Sequence, residues 1–382
     1  VLALAIGRVH RAAESELDRL AWVGFVGLTD PPAPGVGETI RSLHEAGIRT
    51  VMLTGDQKLT AESVARKLGV MRPGDGALDG SEVERLDDRE LEDAVWRVAA
   101  FSRVSPETKL RIVGAFQRSG EIVAMLGDGV NDAPALRKAD LGAAMGIRGT
   151  DLAKEAADIV LVDDRFPTIA AAVEEGRVIF DNIRKFVFYL FSCNLAEIIV
   201  LFGAIAAGFP APLLPLQILW LNLLTDTFPA LALAVEPGEA DVMRQPPRDP
   251  AAALLSGRAL RSIGFYAALI GGASLAAYGC GLAMAGAEVA RTMAFMALAL
   301  AQVFHLGNAR GSGPVLAPAQ ALRNRWAIGA VLLSLTLQGA TALVEPLARV
   351  LGVVPLTPFQ WGVVVLLGLV PGAAGQALKA LR

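Results

Sequence analysis

The chain has 382 residues, with 35 lysines and arginines against 38 aspartates and glutamates and a formal net charge of −3. Hydrophobic residues make up 53% and charged residues 19%, which excludes intrinsic disorder and falls below the quarter or so of charged residues usual in a soluble domain. Two cysteines and three histidines without ligand spacing exclude a disulfide framework or zinc knuckle, and near-neutral charge with no basic block excludes nucleic acid as a partner. Charge is also unevenly placed: 54 of the first 185 residues are charged, against 19 of the last 197. That split predicts a soluble domain over the first 185 residues and a membrane domain over 186–382. The opening VLALAIGRVH lacks a basic flank and a cleavage site, so it is not expected to act as a signal peptide. The first residue is not Met, and the chain is expected to begin inside something larger.

In the first half, short apolar runs alternate with amphipathic segments. Ala21–Leu28, Arg49–Leu53, Val98–Phe101, Ile122–Leu126, Leu141–Met145 and Ile159–Val162 are each closed by Gly, Asp, Pro or Ser. Their length and punctuation predict buried parallel strands. Between them, Gly35–Ala46, Lys58–Leu68, Ser105–Ser119 and Ala133–Lys138 are predicted helices. The stretch Arg72–Asp93 carries no clear strand, and one helix is expected at Asp87–Val98. Alternating strands and helices imply a doubly wound, Rossmann-type α/β sheet. Its chemistry belongs just past the carboxyl ends of the strands.

Six spans are predicted in the second half, at about 186–207, 213–235, 263–285, 289–307, 326–344 and 359–378. Each has about the 20 apolar residues needed to cross ~30 Å of hydrocarbon. Arg244, Arg248, Arg258 and Arg261 lie between spans two and three, Arg310, Arg323 and Arg325 between four and five, and Lys379 and Arg382 at the end. The alternate loops carry almost nothing basic, so the basic loops and both termini are expected on the cytoplasmic side.

Polar motifs mark the strand ends. Gly127-Asp128-Gly129-Val130-Asn131-Asp132 places two acids four residues apart in a glycine-rich turn. They can present carboxylates to a hard cation such as Mg²⁺, or cap a tight turn. Thr54-Gly55-Asp56 offers a hydroxyl and an amide suited to phosphate, or again a turn and cap. Lys109, after Arg103 and Pro106, can reach a phosphate or lie solvated on its helix.

Asp30-Pro31-Pro32, Thr54-Gly55-Asp56, MLGDGVNDAPAL (Met125–Leu136) and AAMGIRGTDLAKEAADIVL (Ala143–Leu161) stand in this order. Together they resemble the haloacid-dehalogenase-like phosphorylation domain of P-type ATPases, and the resemblance extends over essentially the whole chain. It implies that Thr54, Gly55 and Lys109 hold the phosphoryl group, with Asp56 beside them. It further implies that Asp128 coordinates Mg²⁺ with support from Asn131 and Asp132, and that Asp30, Arg103, Lys109 and Asn131 serve ATP. Phosphoryl transfer needs such positioning and charge neutralisation more than covalent help. The family's nucleophile is an aspartate in a DKTGT segment, and that segment does not occur in these 382 residues. Nor do the TGE-bearing actuator domain, most of the nucleotide-binding domain and the first four membrane helices, while VLALAIGRVH resembles the last strand of the nucleotide-binding domain, which implies a tail of that domain at 1–20 and the phosphorylation domain at 21–185. The chain is expected to be a C-terminal portion, or one piece of a split pump, whose sheet lacks the nucleophile's strand.

In the membrane half, Asn194 and Glu197 share one helical face, as do Asn222, Thr225 and Asp226 on the next span. An acid inside a span is a functional hypothesis because lipid burial costs about 2.5–3.5 kcal/mol. The donors are all oxygens, which suits Ca²⁺; interhelical hydrogen bonding is the plainer alternative. Pro215 and Pro229 suggest locally loosened helix that frees carbonyls. Asn194–Glu197 and Leu221–Asp226 resemble the fifth and sixth helices of calcium pumps of the endoplasmic-reticulum type. VEPGEADVMRQPPRDP (Val235–Pro250) resembles the loop that couples those helices to the phosphorylation domain. Gln302 stands where the two-site pumps carry a glutamate, which implies one Ca²⁺ per cycle with proton counter-transport. Cys193 is expected to be a packing residue, His305 an interfacial one, and Gly271-Gly272 and Gly279–Gly281 to mark close helix packing.

Three readings are carried forward. The first is part of an ATP-driven calcium pump, with Mn²⁺ or another cation as the alternative cargo. The second is a chain that binds a cation or partner without turnover, and the third a membrane-tethered phosphatase. The Ala/Gly/Arg-rich composition suggests a bacterial plasma membrane.

Overall fold

The computed structural model describes residues 2–7, 20–27, 31–311, 313–315 and 317–381. They divide into two compact units, Val1–Ala170 and Ala171–Arg382.

The first unit runs β1 (Leu2–Ile6), β2 (Ala21–Val26), α1 (Val36–Glu45), β3 (Met52–Leu53), α2 (Lys58–Leu68), β4 (Gly76–Asp79), α3 (Gly80–Arg85), α4 (Asp88–Ala94), β5 (Val98–Ser102), α5 (Pro106–Arg118), β6 (Ala124–Gly127), α6 (Ala133–Lys138), β7 (Leu141–Met145), α7 (Asp151–Ala156) and β8 (Ile159–Leu161). The expected parallel α/β arrangement is present as two three-stranded sheets, ordered β3-β5-β4 and β6-β7-β8. β5 is buried along its whole length. Val98 and Phe101 pack with Val83, Leu91 and Ile112, whereas Ala99 and Ala100 pack with Ile40 and Ala65. A strand covered on both faces must be continuously apolar, and each large side chain buried there contributes about 1.5–3 kcal/mol. Leu53 touches both the Phe101 core and the Met125–Leu136 core, so the two sheets share packing.

Three expectations change. Ala21–Val26 is not a buried parallel strand but pairs antiparallel with Leu2–Ile6, leaving Trp22 and Phe25 exposed. The stretch Arg72–Asp93 does contain a strand, β4, seated against β5, and two short helices. Asp79 and Asp87 begin those helices with capping boxes closed by Glu82 and Glu90. The expected helix Asp87–Val98 ends at Ala94, because Val98 is already in the sheet.

From Pro167 the chain forms α8 (Pro167–Ala206), which begins in the first unit and continues into the second. There follow α9 (Pro215–Trp220), a π-helical turn (Leu221–Thr225), α10 (Thr227–Ala234), α11 (Gly257–Ala285), α12 (Ala287–Ala309), α13 (Pro318–Arg323), α14 (Arg325–Leu343), α15 (Glu345–Leu351) and α16 (Pro358–Ala380). Among the described residues, six segments are long and apolar enough to cross a membrane: α8, Pro215–Ala234, α11, α12, α14 and α16. Small residues set the close approaches. A side chain at Gly281 would meet Ala290, one at Gly271 would meet Ile199, and one at Gly368 would meet Leu300. Gly272 and Gly279 face open space, so only part of the expected glycine packing is used. α12 is covered almost throughout, with residues 293–299 all buried.

Candidate functional sites

In the first unit the site is built at two strand ends. At the end of β3, the Thr54 amide donates to the Phe101 carbonyl (2.9 Å), the Val104 amide to the Thr54 carbonyl (3.3 Å) and the Arg103 amide to the Asp56 carbonyl (3.2 Å). The Thr54 hydroxyl accepts from the Asp56 amide at 3.1 Å, which folds the loop over Gly55. Gly55, Asp56 and the Arg103 side chain are exposed. Arg103 has φ of 49°, a left-handed conformation that costs a non-glycine residue about 1–2 kcal/mol.

At the end of β6, Asp132 turns inward. Its Oδ2 accepts from the amides of Asp128 (3.1 Å) and Gly129 (3.0 Å), and its Oδ1 from Lys109 Nζ (2.6 Å). A side chain at Gly127 would come within 2.7 Å of Asp132 Cγ, so a glycine is required. Burial works to raise the Asp132 carboxyl; the Lys109 ammonium and the two amides outweigh it and hold the carboxyl below the ordinary aspartate value. The two acids of the motif therefore divide their tasks instead of converging. Asp132 organises the turn and holds Lys109, whereas Asp128 and Asn131 are exposed, and no described residue donates to the Asp128 carboxylate. A free carboxylate beside a neutralised lysine fits a divalent cation, and the Thr54 hydroxyl and Gly55 amide fit a phosphate. Asp30 lies outside the described residues.

In the second unit the π-helical turn Leu221–Thr225 interrupts the helix, with the Asp226 amide donating back five residues to the Leu221 carbonyl at 2.9 Å. Such turns are frequent at functional sites. Glu197, Thr225, Asp226 and Gln302 are buried. Glu197 Oε2 accepts from Asn222 Nδ2 at 2.9 Å and Oε1 from Gln302 Nε2 at 3.1 Å. The Tyr189 hydroxyl lies 3.3 Å from both Asp226 Oδ1 and the Gln302 carbonyl. Three oxygens, Thr225 Oγ1, Asp226 Oδ2 and Gln302 Oε1, are buried without a hydrogen-bond partner among the described residues. No basic side chain bonds either acid among the described residues. Unpaired buried oxygens carry a desolvation penalty that a bound cation would remove.

Asn194 does not join this cluster: it is exposed, and its Nδ2 donates to the Leu190 carbonyl of its own helix at 2.8 Å. His305, expected at the interface, is fully buried and stacked on Tyr189 with ring centres 5.9 Å apart. Tyr189, whose hydroxyl joins this cluster, is a candidate site residue missed in the sequence. It lies two helical turns before Glu197, so periodicity could have found it.

Comparison with known proteins now joins the two units. Residues 3–140 match the model of the haloacid dehalogenase-like hydrolases, and residues 210–381 that of the cation transporting ATPase C-terminus. A hydrolase fold of the haloacid-dehalogenase type is thus joined to a polytopic helical unit with acids inside its spans. The chain is 41% identical to calcium-transporting ATPase 1 of Bacillus cereus, over 96% of this chain and 43% of that protein. It is 42% identical to the calcium-transporting ATPase of Bacillus subtilis, over 96% and 41%. It is 47% identical to calcium-transporting ATPase 1 of Yarrowia lipolytica, over 63% and 26%. The chain belongs to the P-type cation-transporting ATPases. It spans somewhat over two-fifths of the length of the two Bacillus relatives.

Proposed function

We propose that the chain is the phosphorylation-domain and six-helix part of an ATP-driven pump that moves Ca²⁺ out of the cytoplasm through an aspartyl-phosphate intermediate. The observation that carries the ion assignment is the cluster of buried oxygens around Glu197 and Asp226, three of them unpaired, beside a π turn. Glu197, Asn222, Thr225 and Asp226 supply the cargo's oxygens, with Gln302 as a neutral ligand in place of a third acid. Asn194 would have to change rotamer to contribute. One Ca²⁺ per cycle, with proton return, follows from that ligand set.

In the first unit, Thr54 and the Gly55 amide receive the phosphoryl oxygens, and Lys109 neutralises their charge. Asp56 stands beside Thr54 and Gly55, Arg103 and Asn131 serve ATP, and Asp30 is assigned to ATP by the resemblance alone. Asp128 would hold Mg²⁺, which when bound spreads charge over the phosphoryl oxygens. The nucleophilic aspartate comes from residues other than these 382. It is carried on a strand added at the free edges of β3 and β6, each of which bonds to one neighbour among the described residues. The actuator domain, most of the nucleotide-binding domain and four further helices would complete the pump. Its helices lie in a bacterial plasma membrane, with the arginine-bearing loops and both termini of this chain on the cytoplasmic side.

The test is phosphorylation of the complete protein from ATP. Acid-stable, hydroxylamine-labile label is expected only when Ca²⁺ is present. Calcium-independent label, or none, overturns the reading. Label supported by Mn²⁺ and not by Ca²⁺ replaces the ion.

A further inference from the structure

We infer that Asp164 is a positioning residue for the phosphoryl-transfer turn, bracing the segment 146–150 that in turn holds the backbone of Asp128; this rests on the reading that Asp128 serves Mg²⁺.

The segment between β7 and α7 is fixed at both ends. At its far end the Thr150 amide donates to the Asp128 carbonyl at 2.9 Å, and the Thr150 hydroxyl caps α7 through the Ala153 amide at 3.3 Å. At its near end the Gly146 amide donates to the Leu161 carbonyl at 2.9 Å. In the middle, the amides of Ile147 and Arg148 donate to the two carboxylate oxygens of Asp164, at 2.9 and 2.7 Å. Gly146 sits so close to β8 that a side chain there would come within 2.8 Å of the Leu161 carbonyl, and one at Gly149 would overlap the Met145 carbonyl. The segment is pressed onto β7 and β8, and Asp164 is the clamp that keeps its amides turned inward.

Asp164 is itself specialised for this. Its φ is 53°, a conformation aspartate adopts more readily than most residues and only where surroundings impose it. Its side chain is 9% exposed, against 67% for Arg148, whose Nε lies 3.4 Å away. The contact that matters is therefore the backbone clamp and not the ion pair. Burial works to raise the carboxyl, and the amides of Ile147, Arg148 and Gly146 outweigh it and hold it below the ordinary aspartate value, so the acceptor stays charged.

The preceding residue faces the other way. Asp163 Oδ1 accepts from the Arg165 amide at 3.1 Å and Oδ2 from the Thr168 hydroxyl at 2.7 Å, in the first turn of α8. Two consecutive acids thus tie the start of α8 to the segment that braces Asp128. α8 is the helix that also carries Tyr189 and Glu197. Outer partners that orient a metal ligand typically change metal affinity or activity by roughly 10–100-fold when removed.

The experiment uses the complete pump and four proteins: wild type, Asp164→Ala, Asp164→Asn and Arg148→Ala. Two quantities are read: the Mg²⁺ needed for half-maximal phosphorylation by inorganic phosphate without Ca²⁺, and the Ca²⁺ needed for half-maximal phosphorylation from ATP. Asp164→Ala is expected to raise the Mg²⁺ requirement roughly tenfold, the low end of that range, and to leave the Ca²⁺ requirement unchanged. Asp164→Asn, which keeps one acceptor oxygen, is expected to show a smaller rise, and it decides the matter if the alanine variant does not reach the membrane. Arg148→Ala is expected to match wild type, because its amide remains. An unchanged Mg²⁺ requirement in the Asp164 variants, or equal rises for both ions, overturns the inference. Wild type that takes no label from phosphate and Mg²⁺ overturns the functional reading instead, before any variant is compared.

Discussion

The Lys109–Asp132 pair offers the most quantitative test of the proposed phosphoryl site. Their side chains are 14% and 10% exposed and meet at 2.6 Å. Asp132→Asn removes the charge, turns an amide towards the ammonium and leaves Lys109 half-buried and unpaired. Removing one partner of a buried pair costs about 3–5 kcal/mol. The residual exposure places this case at the low end, about 3 kcal/mol, which is roughly a hundredfold in an opening equilibrium. The local reporters are the backbone amides of Asp128 and Gly129, both held by Asp132 Oδ2. Hydrogen exchange of those amides at neutral pH should accelerate roughly a hundredfold in the variant. Lys109→Met leaves both amides bonded and should cost less, about 2 kcal/mol for one charge-assisted bond. The double variant should fall short of the sum by about 1–2 kcal/mol, because the two groups share one interaction. The pH dependence has a definite sign. The Asp132 carboxyl is held low in the folded chain. Its contribution is therefore complete above the unfolded value of about 3.9 and is lost as pH falls through the lower folded value. Exchange at the wild-type rate in Asp132→Asn, or strictly additive costs, would refute this account of the turn.

Further outcomes follow from other contacts. Asp226→Asn in the complete protein should abolish Ca²⁺-dependent phosphorylation from ATP and preserve phosphorylation from phosphate; loss of both would make Asp226 structural. Gly127→Ala forces a methyl against Asp132 and should abolish phosphorylation while the second unit stays folded, checked by label and by protease resistance of the helices; normal label would show that the turn can yield. Arg310 is bonded to Glu236 at 3.0 and 3.1 Å, with both side chains under a tenth exposed. Arg310→Met should therefore destabilise the helical unit by about 3–5 kcal/mol, seen as a lower melting temperature in detergent, and Arg310→Met with Glu236→Leu should recover part of it. A single-variant melting temperature equal to wild type would show the pair to be idle.

Much of this was legible because it rests on long patterns. Apolar segments of membrane-spanning length with arginines in alternate loops leave little choice of architecture, and the strand–turn–helix rhythm of the first half sets its parallel sheets. The misses have physical causes. β4 is only Gly76–Asp79, with two apolar residues between charged neighbours, too short to show a period of two. Ala21–Val26 looked like a buried strand because it is apolar, yet its pairing partner lies upstream and antiparallel, which no local pattern encodes. In the sites, residue types were readable and orientation was not. Asp128 and Asp132 are equivalent in sequence, and only the glycine backbone decides that Asp132 turns inward. Asn194 and Glu197 share a face by spacing, but a rotamer bonded to the Leu190 carbonyl separates them. Asp164 was passed over because an acid after a strand is ordinary; its value comes from two amides sixteen and seventeen residues away.

The π turn at Leu221–Thr225 has a consequence beyond geometry. It holds one residue more than an α-helical turn would, so it is equivalent to a single-residue insertion in an otherwise regular span. Deleting Leu223 or Leu224 would remove no oxygen ligand and leave the span apolar. It would instead close the wide turn into regular α-helix, abolishing the five-residue bond from the Asp226 amide to the Leu221 carbonyl and bringing Asn222 and Asp226 from four residues apart to three. The proposed cation site is thus written partly in chain length, and a single codon can reshape it while every proposed liganding residue type is kept.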